Sequence, residues 1–535
     1  MIVDVRPARH LVAAALLAAC LGTLSAAGRP PRAPVDAITT GELERRLRVI
    51  ASDALEGRES LSPGFRAAAA YLADELGALG LTPRGDDGTF LQRVTMRRTV
   101  VDPEATRVEL DGRGFAYSDD LLATGRGTAT GPVVYVGHGW RVPSRGIDPF
   151  AGVDVRGAIL LVLPGMPSGL SWHDLQTLAR KADYWTPDDN AEALGAVGVI
   201  RVPASGELAD WERLERRQTQ EGTLVVDRLT PEASTLLSVT AGPRLLAALM
   251  HGEREGARLE QRARRGEAGP SFALAARKRV TLAVSARVTF QDTFNVIASV
   301  EGGDPALRDQ FVALGAHLDH IGVEPDTPGG DARLDRINNG ADDDGSGVVA
   351  LVEIAAAAMR GPRPARSLLF AWHTGEEHGG WGARYLTAFP PVPIDRIVAQ
   401  LNVDMIGRSR KPSEAGNPAL TGPDEVYVVG AGRVSPALSS TIARVNREYL
   451  NLTLSPKYDD PADPERIYER SDHIHYARKG IPVAFFFSGL HDDYHQPSDE
   501  VERIDFVKLQ KVARTVLAIA WALADGPAAA GARTR

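Results

Sequence analysis

From residue 295 to residue 524, apolar runs of strand length alternate with runs of helix length. The strand-like runs cover 295–300, 311–315, 367–372, 397–403, 426–429 and 482–487. The helix-like runs cover 347–359, 436–449 and 506–524, and Ser435 followed by Pro436 supplies an N-cap and a first-turn proline. Alternation of this kind predicts an α/β domain whose mixed, largely parallel sheet is flanked by helices on both faces. Such sheets gather ligand sites beyond the carboxyl ends of their strands. Chemistry is therefore expected just after each apolar run.

Five motifs stand there. Gly315-Ala316-His317-Leu318-Asp319-His320 closes the run that starts at 311, and Gly340-Ala341-Asp342-Asp343-Asp344-Gly345-Ser346-Gly347 opens the next helix. Gly375-Glu376-Glu377, Asn402-Val403-Asp404-Met405 and Asp493-Tyr494-His495-Gln496-Pro497-Ser498-Asp499 follow later runs. Each alone has an ordinary explanation. The acid run at 342–344 could cap a helix or form a loose calcium loop, Glu376-Glu377 could lie on the surface, and His495 could be a loop histidine. Their joint occurrence in order points to metal chemistry. The chain has one cysteine, Cys20, so it can form no internal disulfide and no thiolate zinc site. A metal must then be held by imidazole and carboxylate. Two ions about 3.5–4 Å apart need a bridging carboxylate and a few further ligands each. A Glu-Glu pair lets one carboxylate bind metal while its neighbour moves protons. Asp319, two residues after His317, could orient that imidazole from the same strand face.

With these motifs in order, the sequence resembles the co-catalytic dizinc aminopeptidases, the group of bacterial leucyl aminopeptidase, aminopeptidase S and aminopeptidase Y. Glutamate carboxypeptidase and the transferrin receptor are more remote relatives. The likeness covers 38–95, through Leu55-Glu56-Gly57-Arg58, Gly64 and an alanine-rich helix ending at Gly80-Leu81, and again 294–524. It implies a phosphorylase/hydrolase-like fold and two Zn2+ ions per chain. It also implies that His317 and Asp404 are terminal ligands of one ion, Glu377 and His495 of the other, Asp343 the bridge, and Glu376 the general base. Tyr494, before the last histidine, matches a position where a tyrosine could steady an oxyanion. One departure is His378-Gly379-Gly380-Trp381, where relatives usually carry a serine after the second glycine. His473, in Ser471-Asp472-His473, is expected close to the site or in a purely structural role. The implied activity is a zinc-dependent exopeptidase, most readily an aminopeptidase acting on peptides. A metallo-carboxypeptidase, a glutaminyl cyclase and a catalytically dead binding protein are the alternatives.

The stretch 38–99 reads as the first part of the peptidase domain and 286–525 as the second, with 100–285 inserted between them. The insert has a β-rich, Gly- and Pro-punctuated texture, with apolar runs at 133–136, 158–163 and 197–202 and a helix near 188–194. Its segment 131–203 resembles a protease-associated domain. His138, His173 and His251 have no partner at ligand spacing. At the amino end, Arg6, Arg9 and His10 precede an apolar run at 11–19, the layout of a signal peptide within 1–27. Leu17-Ala18-Ala19-Cys20 resembles a lipobox, with cleavage near Ser25-Ala26-Ala27 as the rival. Both imply export: periplasmic, extracellular or lipid-anchored through Cys20. No other run approaches the roughly 20 apolar residues of a membrane span. The net charge of −8 argues against a nucleic-acid partner, and the basic stretch 254–265 is interleaved with Glu253, Glu255 and Glu260.

Overall fold

The structure is a computed structural model that describes residues 32–527 apart from 176–177, 179, 231–235, 255–266, 277, 326–333 and 411–418. The signal-peptide pattern with Cys20 and most of the basic stretch at 254–265 therefore lie outside the described residues. The chain forms two compact units. One joins Met1–Val94 to Asp292–Arg535, and the other is Thr95–Gln291. The sequence divides the chain at 100 and 285 instead. The units divide inside two unbroken strands, Leu91–Val101 and Ala286–Val300, which carry no Gly or Pro at the crossing to mark it.

The first unit is built on helices α1 (Thr40–Ile50) and α2 (Pro63–Ala78), then strands β1 (Leu91–Val101), β2 (Ala286–Val300) and β3 (Phe311–His317). Helix α3 (Gly347–Arg360), β4 (Ser367–His373), β5 (Ile397–Val403), β6 (Glu425–Val429), α4 (Pro436–Glu448), β7 (Thr453–Ser455), β8 (Val483–Phe487) and α5 (Phe506–Asp525) follow. Within this unit the sheet order is β7-β6-β8-β5-β3-β4-β2-β1. Strands β4, β3, β5 and β8 are adjacent and mutually parallel. β2 joins β4 antiparallel, and β6 joins β8 antiparallel. The four parallel strands thus deliver all their carboxyl ends to one edge, directly beneath the motifs.

Every residue of α3 from Gly347 to Ala358 is buried, including Glu353. Its alanine-rich second half lets α1, α5 and β3 approach closely, while Val348, Leu351, Val352 and Ile354 supply the apolar volume. Burying each such side chain stabilises the fold by about 1.5–3 kcal/mol, so Leu351→Ala would cost about 2–5 kcal/mol. Buried Glu353 is neutralised by an ion pair with Arg46 of α1. Among the described residues, no helix is long and apolar enough to cross a membrane.

The second unit, Thr95–Gln291, carries its own sheet and apolar core. Gly127–Tyr135, Ile159–Val162, Gly198–Arg201 and Leu237–Ala241 pair successively in parallel. The first three correspond to the three apolar runs visible in the sequence. Val133, Leu161, Ile200, Val239 and Leu282 are buried in this core. The helix Pro187–Leu194 opens with a capping box between Thr186 and Asp189.

Candidate metal centre

His317 is the last residue of β3, Asp404 directly follows β5, Glu376 and Glu377 follow β4 by a short turn, and His495 lies in the loop after β8. The carboxylate of Asp343 lies between the two imidazoles. Its Oδ1 is 3.2 Å from His317 Nε2, and its Oδ2 is 3.2 Å from His495 Nε2. His317 Nε2 is also 3.6 Å from Asp404 Oδ1, and His495 Nε2 is 2.9 Å from Glu377 Oε2. All five sequence-derived donors therefore come together around one carboxylate. His317, Asp343, Glu376, Asp404 and Tyr494 line a pocket whose other wall is Met405, Ile467, Arg470, Ser471, Phe485, Phe487 and Leu490.

The neighbouring acids are occupied elsewhere. Asp344 Oδ1 accepts the amides of Gly347 and Met405, and its Oδ2 accepts the His317 amide. Asp344 also lies within reach of His317 and Asp404, but these three bonds hold its carboxylate against the backbone. Asp342 Oδ1 accepts the Gly407 amide, and its Oδ2 is 3.3 Å from His491 Nε2. The Asp343–Asp344 peptide is cis.

Asp319 acts differently from the sequence expectation. His317 Nδ1 lies 3.0 Å from the Asp319 main-chain carbonyl, whereas the Asp319 carboxylate is 3.9 Å away. That carboxylate instead accepts the Glu376 amide at 3.2 Å and the Ser60 hydroxyl at 3.0 Å. The chain leaves the strand at His317, so the carbonyl, not the side chain, meets the ring. The effect on His317 is the one required: Nδ1 donates inward and Nε2 faces Asp343 and Asp404. Burial pushes the Asp319 carboxyl up to about 6, against the pull of His317.

Glu376 is tied to this frame through its amide. Gly375 before it has φ +68°, and a Cβ there would meet the Trp381 ring at 2.6 Å. Burial raises the Glu376 carboxyl well above the ordinary value; His317 opposes this, while Glu377 and Asp404 add to it. Burial also disfavours charge on Asp343, but His320, His317 and His495 outweigh it and hold that carboxyl well below its usual range. Tyr494 stacks on His495 with ring centroids 3.9 Å apart, and its hydroxyl accepts from Arg470 at 3.0 Å. His473 takes the structural option. It bonds the Tyr468 carbonyl at 2.9 Å and stacks on Phe485, and burial lowers its pKa to about 3. Trp381 stacks on His378 at 4.5 Å, so the departure at 378–381 forms packing beside the site.

Residues 295–520 match the profile of Peptidase family M28. That segment, less than half of the chain, is what this sequence shares with the family. The matched segment contains every candidate ligand above. A probable leucine aminopeptidase of Arthroderma benhamiae is 28% identical over 229 residues, 41% of this chain and 56% of the relative. Leupeptin-inactivating enzyme 1 of Streptomyces exfoliatus is 29% identical over 212 residues, 39% of each chain. The chain thus spans about half, or less, of the length of these curated relatives. Among solved structures, the aminopeptidase from Aneurinibacillus sp. strain AM-1 is 19% identical, with a TM-score of 0.48 over 92% of this chain and 95% of its own.

Three contributors escape a motif search. His320 enters the donor cluster, Arg58 braces the loops around it, and Asp499 grips the backbone of the acid run. All three lie inside stretches already prominent in the sequence. A count of charged residues there in excess of the expected ligands is the signal that could have found them.

Proposed function

We propose that this chain is a zinc-dependent aminopeptidase that removes amino-terminal residues from peptides. The observation that carries the reading is Asp343, with one oxygen against His317 and the other against His495, as a carboxylate shared by two cations requires. The donor set fits zinc, being imidazole and carboxylate with no thiolate. Glu377 Oε1 and His495 Nε2 are buried without hydrogen-bond partners, as ligand atoms are. His317, Asp343 and Asp404 would hold one ion, and Asp343, Glu377 and His495 the other. When bound, a zinc pair supplies an acidified water and polarises the scissile carbonyl.

Glu376 takes the proton from the attacking water and returns it to the leaving amine. Its raised proton affinity suits a carboxylate that must hold that proton between the two steps. The Tyr494 hydroxyl, at the pocket wall, steadies the oxyanion. The apolar wall of Met405, Phe485, Phe487 and Leu490 accepts the side chain of the residue being removed and excludes water from it. The test is a panel of aminoacyl-anilides set against amino-blocked peptides. Cleavage of blocked peptides alone would favour a carboxypeptidase, cyclisation of amino-terminal glutamine a cyclase, and no turnover of any substrate a binding protein.

The amino-terminal pattern supports export, with lipidation of Cys20 as its anchored form. Mass spectrometry of the native protein should find a new amino terminus, and a chain still starting at Met1 would refute this. The parallel strands and Gly-bounded apolar runs support a protease-associated domain in the Thr95–Gln291 unit. Expressed alone, that unit should unfold cooperatively; a non-cooperative melt would count against an independent domain.

A further inference from the structure

His320 stands at the end of His317-Leu318-Asp319-His320, and the reading above gives it no task. It is fully buried, and neither ring nitrogen makes a hydrogen bond. Burying both nitrogens of an imidazole with no partner is costly, and sites that tolerate it normally bind something there. Nδ1 lies 2.8 Å from Glu377 Oε1 and 3.8 Å from Asp343 Oδ2. On the other side of the same carboxylates, His495 Nε2 is 2.9 Å from Glu377 Oε2 and 3.2 Å from Asp343 Oδ2. The two imidazoles meet edge to face, with centroids 5.5 Å apart.

These contacts are close, yet His320 Nδ1, Glu377 Oε1 and His495 Nε2 all lack hydrogen-bond geometry. The atoms converge on a common point rather than on one another. Four donors, one from each residue, lie within 4.8 Å of one another. Donors about 2.0–2.1 Å from a tetrahedral zinc are about 3.3 Å apart. The separations from His320 and His495 to Asp343 Oδ2, 3.8 and 3.2 Å, lie around that value, and each imidazole also meets one of the two Glu377 oxygens, at 2.8 and 2.9 Å.

The ring is also built into position. Gly340, at φ +55°, packs on its edge: a Cβ there would meet His320 Cδ2 at 2.6 Å and Cγ at 2.7 Å. Buried Arg58 donates to the carbonyls of Leu318, Asn339 and Gly340, and its own carbonyl accepts the His320 amide at 3.2 Å. One side chain thus fixes both loops that enclose the imidazole.

We propose that His320 is an additional metal ligand, completing a four-donor site with Asp343, Glu377 and His495. The inference rests on the two-zinc reading and deepens it, because it makes the two ions unequal. The site holding His320 is closed by four protein ligands, the pattern of tightly held zinc. The site of His317, Asp343 and Asp404 has three and keeps a position open, the pattern of a catalytic zinc. The first ion to bind enters the His320 site and binds there more tightly.

The test uses the full chain stripped of metal, titrated with zinc against a chromophoric chelator and, separately, with cobalt(II) followed by visible absorption. Wild type should bind two ions with distinct affinities, the first cobalt equivalent showing the intense absorption of a four-coordinate site. His320→Gln and His320→Ala should weaken the tighter site by about 100-fold or more, beyond the roughly 10–100-fold seen for loss of a ligand's outer partner. They should also dim the first cobalt equivalent and leave the second affinity within a few-fold. Melting of the metal-free variants checks that they fold, and His320→Gln, which retains bulk, decides if His320→Ala does not. Two ions in wild type with both affinities and the cobalt spectrum unchanged in the variants would overturn the proposal while leaving the two-zinc reading intact. A single ion in wild type would overturn the two-zinc reading, and the variants would still decide whether His320 holds that ion. No bound ion would overturn both.

Discussion

One oxygen of Asp499 accepts the backbone amides of both Asp342 and Asp343, at 2.9 and 3.1 Å. The other oxygen lies 3.3 Å from Arg408. The acid run is therefore oriented from behind by a carboxylate, and its three side chains leave in three directions. Asp342 turns to Gly407 and His491, Asp344 to three backbone amides, and Asp343 alone to the imidazoles.

That divergence predicts a register. If Asp343 is shared by two ions as proposed, Asp343→Asn should weaken both zinc sites together. Asp342→Asn and Asp344→Asn should lower zinc affinity by at most roughly 10–100-fold, as changes beside a ligand do. Equilibrium dialysis with metal analysis separates the three variants. Two tightly held zincs in Asp343→Asn together with their loss in Asp342→Asn would move the bridge by one residue.

Arg58 is expected to matter as much for stability as for the metal. It is fully buried and donates to the carbonyls of Leu318, Ile50, Asn339 and Gly340. Burial lowers its pKa to about 10, with Asp343, Asp319 and Asp344 pulling the other way, so it stays charged at neutral pH. Arg58→Met leaves these buried acceptors unpaired, each costing about 1–3 kcal/mol before relaxation. The urea midpoint should fall by an amount equivalent to at least about 3 kcal/mol. Arg58→Lys should recover little, since one ammonium cannot reproduce the planar fork. A midpoint unchanged in Arg58→Met would mean that the loops hold without it.

Glu376→Gln should keep the zinc content of wild type and lose turnover. The amide preserves shape and the Asp319 contact to the Glu376 backbone, but cannot take a proton. A positioned base is worth roughly 10²–10⁴-fold, read in kcat on an aminoacyl-anilide with zinc content measured on the same sample. Activity within a few-fold of wild type would remove Glu376 from the proton path.

The α/β architecture was legible because the strand-like runs are apolar and bounded, and because parallel strands all end on one edge. Those runs agree with β3 to β6 and β8 within a residue or two. Proximity of the five motifs followed from the same geometry, since His317 ends a parallel strand and Glu377, Asp404 and His495 each follow one. His320 was not legible. It lies past the strand end, where period-two logic stops, and its direction depends on a loop braced by Arg58 from a segment 262 residues earlier (320 − 58). The unit boundaries were blurred for the opposite reason: Leu91–Val101 and Ala286–Val300 run through them as continuous strands. Asp319 was expected to orient His317 through its carboxylate, whereas its carbonyl meets the ring.

Lys508 offers a test of buried charge away from the ligands. It sits in the first turn of α5, 1% exposed, and donates to the Arg408 carbonyl and the Thr421 hydroxyl, both at 2.7 Å. Burial lowers its pKa from 10.5 to about 8, despite the opposing carboxylates of Asp342, Asp505 and Glu425. The folded chain therefore releases this proton near pH 8, while the unfolded chain keeps it to about pH 10.5. Between those values the unfolded state binds more protons, so this group makes stability rise with pH. The penalty of holding the charged amine is fully present below pH 8 and is relieved by about 10.5. At about 1.4 kcal/mol per pH unit, the change across the window is roughly 3 kcal/mol. Lys508→Met removes the titration but leaves two acceptors unpaired, so its absolute stability is not the readout. The difference between wild type and Lys508→Met, from urea unfolding at steps from pH 7 to about 10.5, should grow in favour of wild type by roughly 3 kcal/mol. Parallel curves would mean that Lys508 keeps an ordinary proton affinity, and that its two hydrogen bonds compensate for its burial.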